Sequence, residues 1–104
     1  MTAPDRDVAM TFYSIPCKTK ADGWVVKVTF PANAGGEDNL QLECFDGEES
    51  PMPAGTFSFA GRRTVFANGS ATMRYSDFIA GMHDTSVWFS RPGGEPVPGF
   101  LTFA

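Results

Sequence analysis

The residues best equipped for chemistry are two cysteines, Cys17 and Cys44, and one histidine, His83. The cysteines lack the Cys-x-x-Cys spacing of a zinc or dithiol site, and a single histidine cannot complete a zinc set with them. Two states fit the pair. A Cys17–Cys44 disulfide would close a long loop, be worth about 3–4 kcal/mol in the chain-entropy account and imply an oxidising compartment. As free thiols, Cys44 would be a small buried apolar side chain beside Leu42, and Cys17 would lie in a loop. His83 precedes Asp84 and has Ser76, Ser86 and Ser90 near it in sequence, which are the residue types of a hydrolase triad. A triad is a constellation in space, however, and no Gly-x-Ser-x-Gly elbow is present, so a loop histidine is the simpler reading. A Cys17–His83 nucleophile pair would need a lowered thiol pKa that no neighbouring residue provides. A non-enzymatic chain is expected, with a small hydrolase as the catalytic alternative, and no metal or cofactor.

Acidic residues gather at Glu37-Asp38 and at Asp46-Gly47-Glu48-Glu49. Neither run has the alternating ligand spacing of a calcium loop, so both read as solvated turns. Paired carboxylates for glycoside hydrolysis would need a deep cleft between them, which a domain of this size usually lacks. Arg62-Arg63, with Arg74, is the one basic grouping and reads as a solvated hairpin tip. Gly35-Gly36 and Gly93-Gly94 lack the strand-then-helix setting of a phosphate loop. Asn68-Gly69-Ser70 matches a glycosylation acceptor, yet Asn-Gly also explains itself as a hairpin turn.

The most informative chemistry lies in the aromatic residues and in the strands that aim them. Trp24-Val25-Val26-Lys27-Val28-Thr29-Phe30 alternates strictly, and residues 40–45 continue the pattern with Leu40, Leu42 and Cys44 inward. Residues 8–15, 56–60, 63–67, 71–75, 85–90 and 99–104 complete eight candidate strands, the first possibly an edge. Residues 76–81 form the one helical stretch, with Ser76 as cap and Gly81 as stop. Eleven glycines and eight prolines are scattered between these segments rather than gathered into a linker, as suits a chain of many turns. The expected fold is all-β, an antiparallel β-sandwich of about eight short strands, with a small β-barrel as the alternative. The 104 residues, 42% hydrophobic, suit one domain over 1–104, with 1–7 a flexible lead-in. Its core is expected to hold Trp24, Val26, Val28, Leu40, Leu42, Phe57, Phe59, Val87 and Phe89. By the same parity Trp88, Phe45 and Phe66 face outward, with Tyr13 as a further contact residue. An exposed aromatic face of this kind marks a ligand or partner surface, unless loops cover it or a bulge inverts the register.

Pro53-Ala54-Gly55-Thr56-Phe57-Ser58-Phe59, preceded by Leu40-Gln41-Leu42 and followed by Pro98-Gly99-Phe100-Leu101-Thr102-Phe103, resembles secreted Bacteroidales lipoprotein modules. Phe57 stands where that pattern usually has Tyr. The resemblance implies a sandwich-like β domain without an assigned catalytic set and an extracellular, periplasmic or cell-surface location. Residues 1–7 carry no secretory signal, so a cytoplasmic location stays open. A net charge of −4 repels phosphate backbones, which argues against a nucleic-acid partner, and no apolar run is long enough to span a bilayer. The function expected is that of a binding module for a protein or a glycan, its oligomeric state undetermined. A structural module of a surface assembly, joined through an unpaired edge strand, is the alternative.

Overall fold

A computed structural model describes residues 8–31, 35–59, 61–81 and 86–103. Residues 1–7, expected to be flexible, and the His83-Asp84 pair lie outside the described residues. Eight strands follow in chain order: β1 (Val8–Ser14), β2 (Trp24–Phe30), β3 (Asn39–Asp46), β4 (Ala54–Phe59), β5 (Arg62–Ala67), β6 (Ser70–Arg74), β7 (Val87–Ser90) and β8 (Val97–Phe103). A 3₁₀ turn (Lys20–Asp22) sits between β1 and β2, and a short helix, α1 (Tyr75–Ala80), follows β6.

The strands form one closed antiparallel barrel in the order β1-β2-β3-β6-β5-β4-β7-β8. The sandwich expectation is therefore corrected to the barrel. The expected edge strand is absent as well, because β1 pairs with β2 on one side and with β8 on the other. Closure has a direct physical cause. It gives the backbone groups of both outermost strands a partner, which two stacked open sheets would leave exposed at four edges.

An eight-stranded barrel has an interior just wide enough for side chains to fill. Here the filling is aromatic: Phe12, Trp24, Phe57, Phe59, Phe66, Phe78 and Phe89 are fully buried among Val26, Val28, Leu40, Leu42 and Val87. Phe12 meets Phe57 with ring centroids 5.0 Å apart. The strand alternation on β2 and β3 supplies the aliphatic part of this core. Helix α1 closes one end by inserting Phe78 against Phe59 at 5.0 Å and Phe30 at 5.1 Å. It starts at Tyr75 rather than after a Ser76 cap, since its first amides find backbone partners instead. Tyr75 N–H donates to the Asp38 carbonyl at 2.8 Å and Ser76 N–H to that of Gly36 at 3.2 Å.

The seam between β1 and β8 depends on Trp24. Its indole Nε1–H donates to the Val97 carbonyl at 3.0 Å, and its ring lies against the backbone of Gly99. A β-carbon at position 99 would fall 2.3 Å from that ring and 2.5 Å from the Tyr13 carbonyl. The turn joining β5 to β6 is the expected Asn68-Gly69 pair, with φ of 56° and 79°, the left-handed values that a two-residue hairpin needs to match strand twist.

Two kinds of core substitution should separate the filling from the seam. Leu42→Ala and Val26→Ala are expected to lose about 2–4 kcal/mol through lost burial and a residual cavity. Gly99→Ala is expected to lose about 1–3 kcal/mol through overpacking against Trp24, although it adds only a methyl group. Urea unfolding monitored by circular dichroism measures both, and a neutral Gly99→Ala would show that the seam does not depend on this contact.

Candidate functional site: an aromatic row on the barrel exterior

The alternation that fills a barrel also dictates what it shows to the outside. On β1, Phe12 points inward and Tyr13 outward; on β2, Val26 points inward and Val25 and Lys27 outward; on β3, Cys44 points inward and Phe45 outward. On β8, Leu101 packs against the core while Phe100 is 42% exposed. The register then aligns these residues. Phe100 lies opposite Tyr13, Tyr13 opposite Val25, and Val25 opposite Phe45. Four neighbouring strands thus present one row, Phe100–Tyr13–Val25–Phe45, across the barrel wall. Trp88 on β7 extends it: it is 42% exposed and lies opposite Pro98, which shares the outer face of β8 with Phe100.

Within the row, the Tyr13 and Phe100 rings pack together with centroids 6.0 Å apart. The Lys27 ammonium lies over the Phe45 ring, 5.0 Å from its centroid, and Glu43 stands opposite Lys27 on the next strand. Two shallow clefts share Tyr13 as a wall. One, of about 320 Å³, is lined by Tyr13, Val25, Lys27, Phe45 and Glu49. The other, of about 340 Å³, lies along β1 and includes Ile15, Pro16, Cys17, Lys20 and Phe100.

Of the four contact residues expected from sequence, Tyr13, Phe45 and Trp88 come together on this face and Phe66 does not. Phe66 is fully buried and packs on Phe89 at 5.9 Å. The correction follows from pairing. Phe66 faces Gly55 across β4 and β5, and the absence of a side chain there admits the Phe89 ring. Arg62 and Arg63 put a charge on both faces of β5, so charge assigns neither; the pairing of Phe66 with Gly55 turns Phe66 inward and Val65 outward. Val65 is indeed 71% exposed. Sequence reading also missed Phe100, Val25, Lys27 and Glu49 as members of the site. Thr102, polar and two residues on, marks the outer face for Phe100; Glu49 enters from a loop, where no periodicity operates.

Of the two states open to the cysteines, bridged or free, the structure holds two free thiols. They point to different places. Cys44 is buried inside the barrel, its thiol donating to the Met52 thioether at 3.7 Å, whereas the Cys17 thiol donates to the Ile15 carbonyl at 3.1 Å on the outer loop. Burial pushes the Cys44 thiol up to about 12; the Arg91 guanidinium opposes this, Asp46 adds to it, and a hydrogen bond from the Phe45 backbone offsets part.

The acidic runs serve their own turns. Asp46 Oδ1 accepts from the amides of Glu48 at 2.8 Å and Ser50 at 2.9 Å, and Asp38 Oδ2 accepts from Gly35 N–H at 2.7 Å. Among the described residues, no group of three or more His, Cys, Asp or Glu side chains is placed to hold a metal ion. Arg62 pairs with Asp77 at 3.4 Å on the surface, an exposed contact worth little. A third cleft, of about 410 Å³, lies near Asp46, Met52 and Arg91. Its guanidinium is already committed: Arg91 Nη2 donates to the carbonyls of Ala21 at 2.5 Å and Gly23 at 3.1 Å, tying the loop after β7 to the loop before β2.

The thiol assignment is open to direct measurement. Alkylation of denatured protein without reductant should add two labels by intact mass, and alkylation of the native protein should label Cys17 alone. Protection of both thiols until reduction would restore the bridge. A raised thiol favours the protonated folded state, so its contribution is whole below the ordinary value near 9.0 and is lost as pH climbs toward about 12. Stability should fall across that window by up to about 1.4 kcal/mol per pH unit more than in Cys44→Val, which has no such proton to lose. Equal alkaline slopes in the two proteins would contradict the buried thiol.

Comparison of this chain with protein-family models, curated proteins and solved structures returned no match, so its functional reading rests on the barrel's own chemistry.

Proposed function

We propose that this chain is a non-enzymatic binding module that holds a protein partner against the outer face of β7, β8, β1, β2 and β3. The observation that carries the reading is the in-register row Phe100–Tyr13–Val25–Phe45, continued to Trp88 through Pro98. Large side chains of this kind are ordinarily scattered singly over a surface, and a contiguous row of them marks an interaction site. Tyr and Trp are also the residues from which binding energy is most often drawn. A protein fits better than a glycan because Val25, Ile15, Pro16 and Pro98 supply aliphatic surface that satisfies no sugar hydroxyl. An extracellular or periplasmic setting rests on the short sequence resemblance alone, and neither the closed barrel nor the free thiols lend it support. Assembly through an unpaired strand loses its basis, because the described strands close on themselves.

Site-specific photocross-linking tests the reading. Benzoylphenylalanine in place of Tyr13 or Trp88, introduced in the cells that make the protein, should give the same discrete adduct from both positions, identifiable by mass spectrometry. Phe100→Ser should abolish it. The same probe at Val65, exposed on β5 on the far side of the barrel, should give none. Adducts as frequent from Val65 as from Tyr13, or none from either, would remove the face from consideration.

A further inference from the structure

We propose that the partner segment seated on this face is proline-rich and lies across the strands as a left-handed polyproline II helix, using the two clefts that Tyr13 divides. This rests on the reading of the face as a protein-docking surface. Three modes of peptide recognition compete for such a site: strand addition, a helix in a groove, and a polyproline helix on aromatic ridges. Strand addition needs an unpaired edge, and each of β8, β1, β2 and β3 is hydrogen-bonded on both sides. A helix needs a groove that admits a cylinder of about 10–12 Å. The walls of the first cleft, Tyr13 and Phe45, stand on alternate strands with Val25 between them. Two strand spacings separate their backbones by only about 9.6 Å, and the rings themselves fill part of that gap. What remains suits one flat ring, such as that of proline.

The spacing agrees with the same occupant. A polyproline II helix presents equivalent residues every third position, at about 9.3 Å, close to the about 9.6 Å between alternate strands. A prolyl ring over Val25 therefore places its equivalent, three residues along, beyond Tyr13 at the cleft of Ile15, Pro16 and Phe100. The polar groups match too. A proline-rich segment carries carbonyl acceptors that no internal hydrogen bond uses, and the Tyr13 hydroxyl and Lys27 ammonium are donors on the rim. Glu49 lines the first cleft beside Lys27, on a chain of net charge −4. A basic residue flanking the prolines complements it.

The test is a titration of isotopically labelled full-length protein with a decaproline peptide ending in arginine, followed by amide chemical shifts. Saturable shifts are expected at Tyr13, Val25, Phe45 and Phe100, with Val65 unmoved. Tyr13→Ala, and independently Phe100→Ala, should weaken binding about tenfold while keeping the folded spectrum, the scale of one lost aromatic contact. A glutamate-ended peptide should bind more weakly than the arginine-ended one, and Glu49→Gln should erase that difference. No saturable shift at millimolar peptide, or shifts spread equally to β5, overturns the proposal; so do saturable shifts with maltohexaose or chitohexaose in place of the peptide. If discrete cross-links from Tyr13 and Trp88 persist while the peptide fails, only the polyproline inference falls. If both fail, the face itself is wrong.

Discussion

Closing eight short strands around a column of aromatic rings is the constraint on which the rest of this molecule depends. For two of these rings the wall itself gives way. Gly99 leaves space for the Trp24 indole and Gly55 for the Phe89 ring. At the first of these the barrel is also sewn shut, because the same indole that presses on Gly99 hydrogen-bonds to Val97 on the same strand. Burial and closure are thus one event at Trp24. A chain that failed to seat this ring would expose both an aromatic core and two strand edges, the surfaces most prone to non-specific association.

Closure also decides what the outside can do. In an open sheet, recognition by strand pairing is always available at the edge; in this barrel the described strands leave no such template, and the proposed recognition would fall to side chains on the wall. Because register is locked by packing on the inner face, the outer row inherits the same precision. Phe12 cannot slip by one residue without turning Tyr13 into the core, so the alignment of Phe100, Tyr13, Val25 and Phe45 needs no dedicated device to maintain it. A site built on paired strands is held more rigidly than one built on loops, and little ordering cost remains to be met on binding.

Much of this was legible in the sequence where a single physical rule governs. Strict alternation located β2 and β3 and placed Trp24, Val26, Leu40 and Leu42 in the core, and the Asn68-Gly69 turn was readable from backbone geometry alone. Sandwich and barrel, by contrast, have the same strands with the same alternation and differ only in whether β8 meets β1, a long-range pairing that leaves no local mark. Phe66 was misread because Thr64, Val65 and Phe66 give period-2 reasoning no clear apolar face. Arg62 and Arg63 charge both parities of the strand, so only the long-range pairing of Phe66 with Gly55 settles the ambiguity. Glu49 was beyond reach because its place beside Tyr13 and Phe45 is made by a loop whose shape comes from Asp46 accepting two backbone amides.

The contrast between the two cysteines shows how the fold divides its chemistry. A thiol pushed up to about 12 inside an aromatic barrel is chemically silent, and Cys44 serves there as a small packing residue against Met52. The Asp46 and Asp38 carboxylates close turns, and the Arg91 guanidinium ties two loops. Structural work of this sort uses up polar groups that catalysis would need free and poised near neutral pH. The large apolar residues of the outer row have no comparable internal task, since the core is filled without them and Trp88, Tyr13 and Phe100 each leave about two-fifths of their surface to solvent. Exposed apolar area confers no stability on the isolated domain. A partner that covered it would supply the missing half of that burial, which is the physical basis on which the row is proposed as a site.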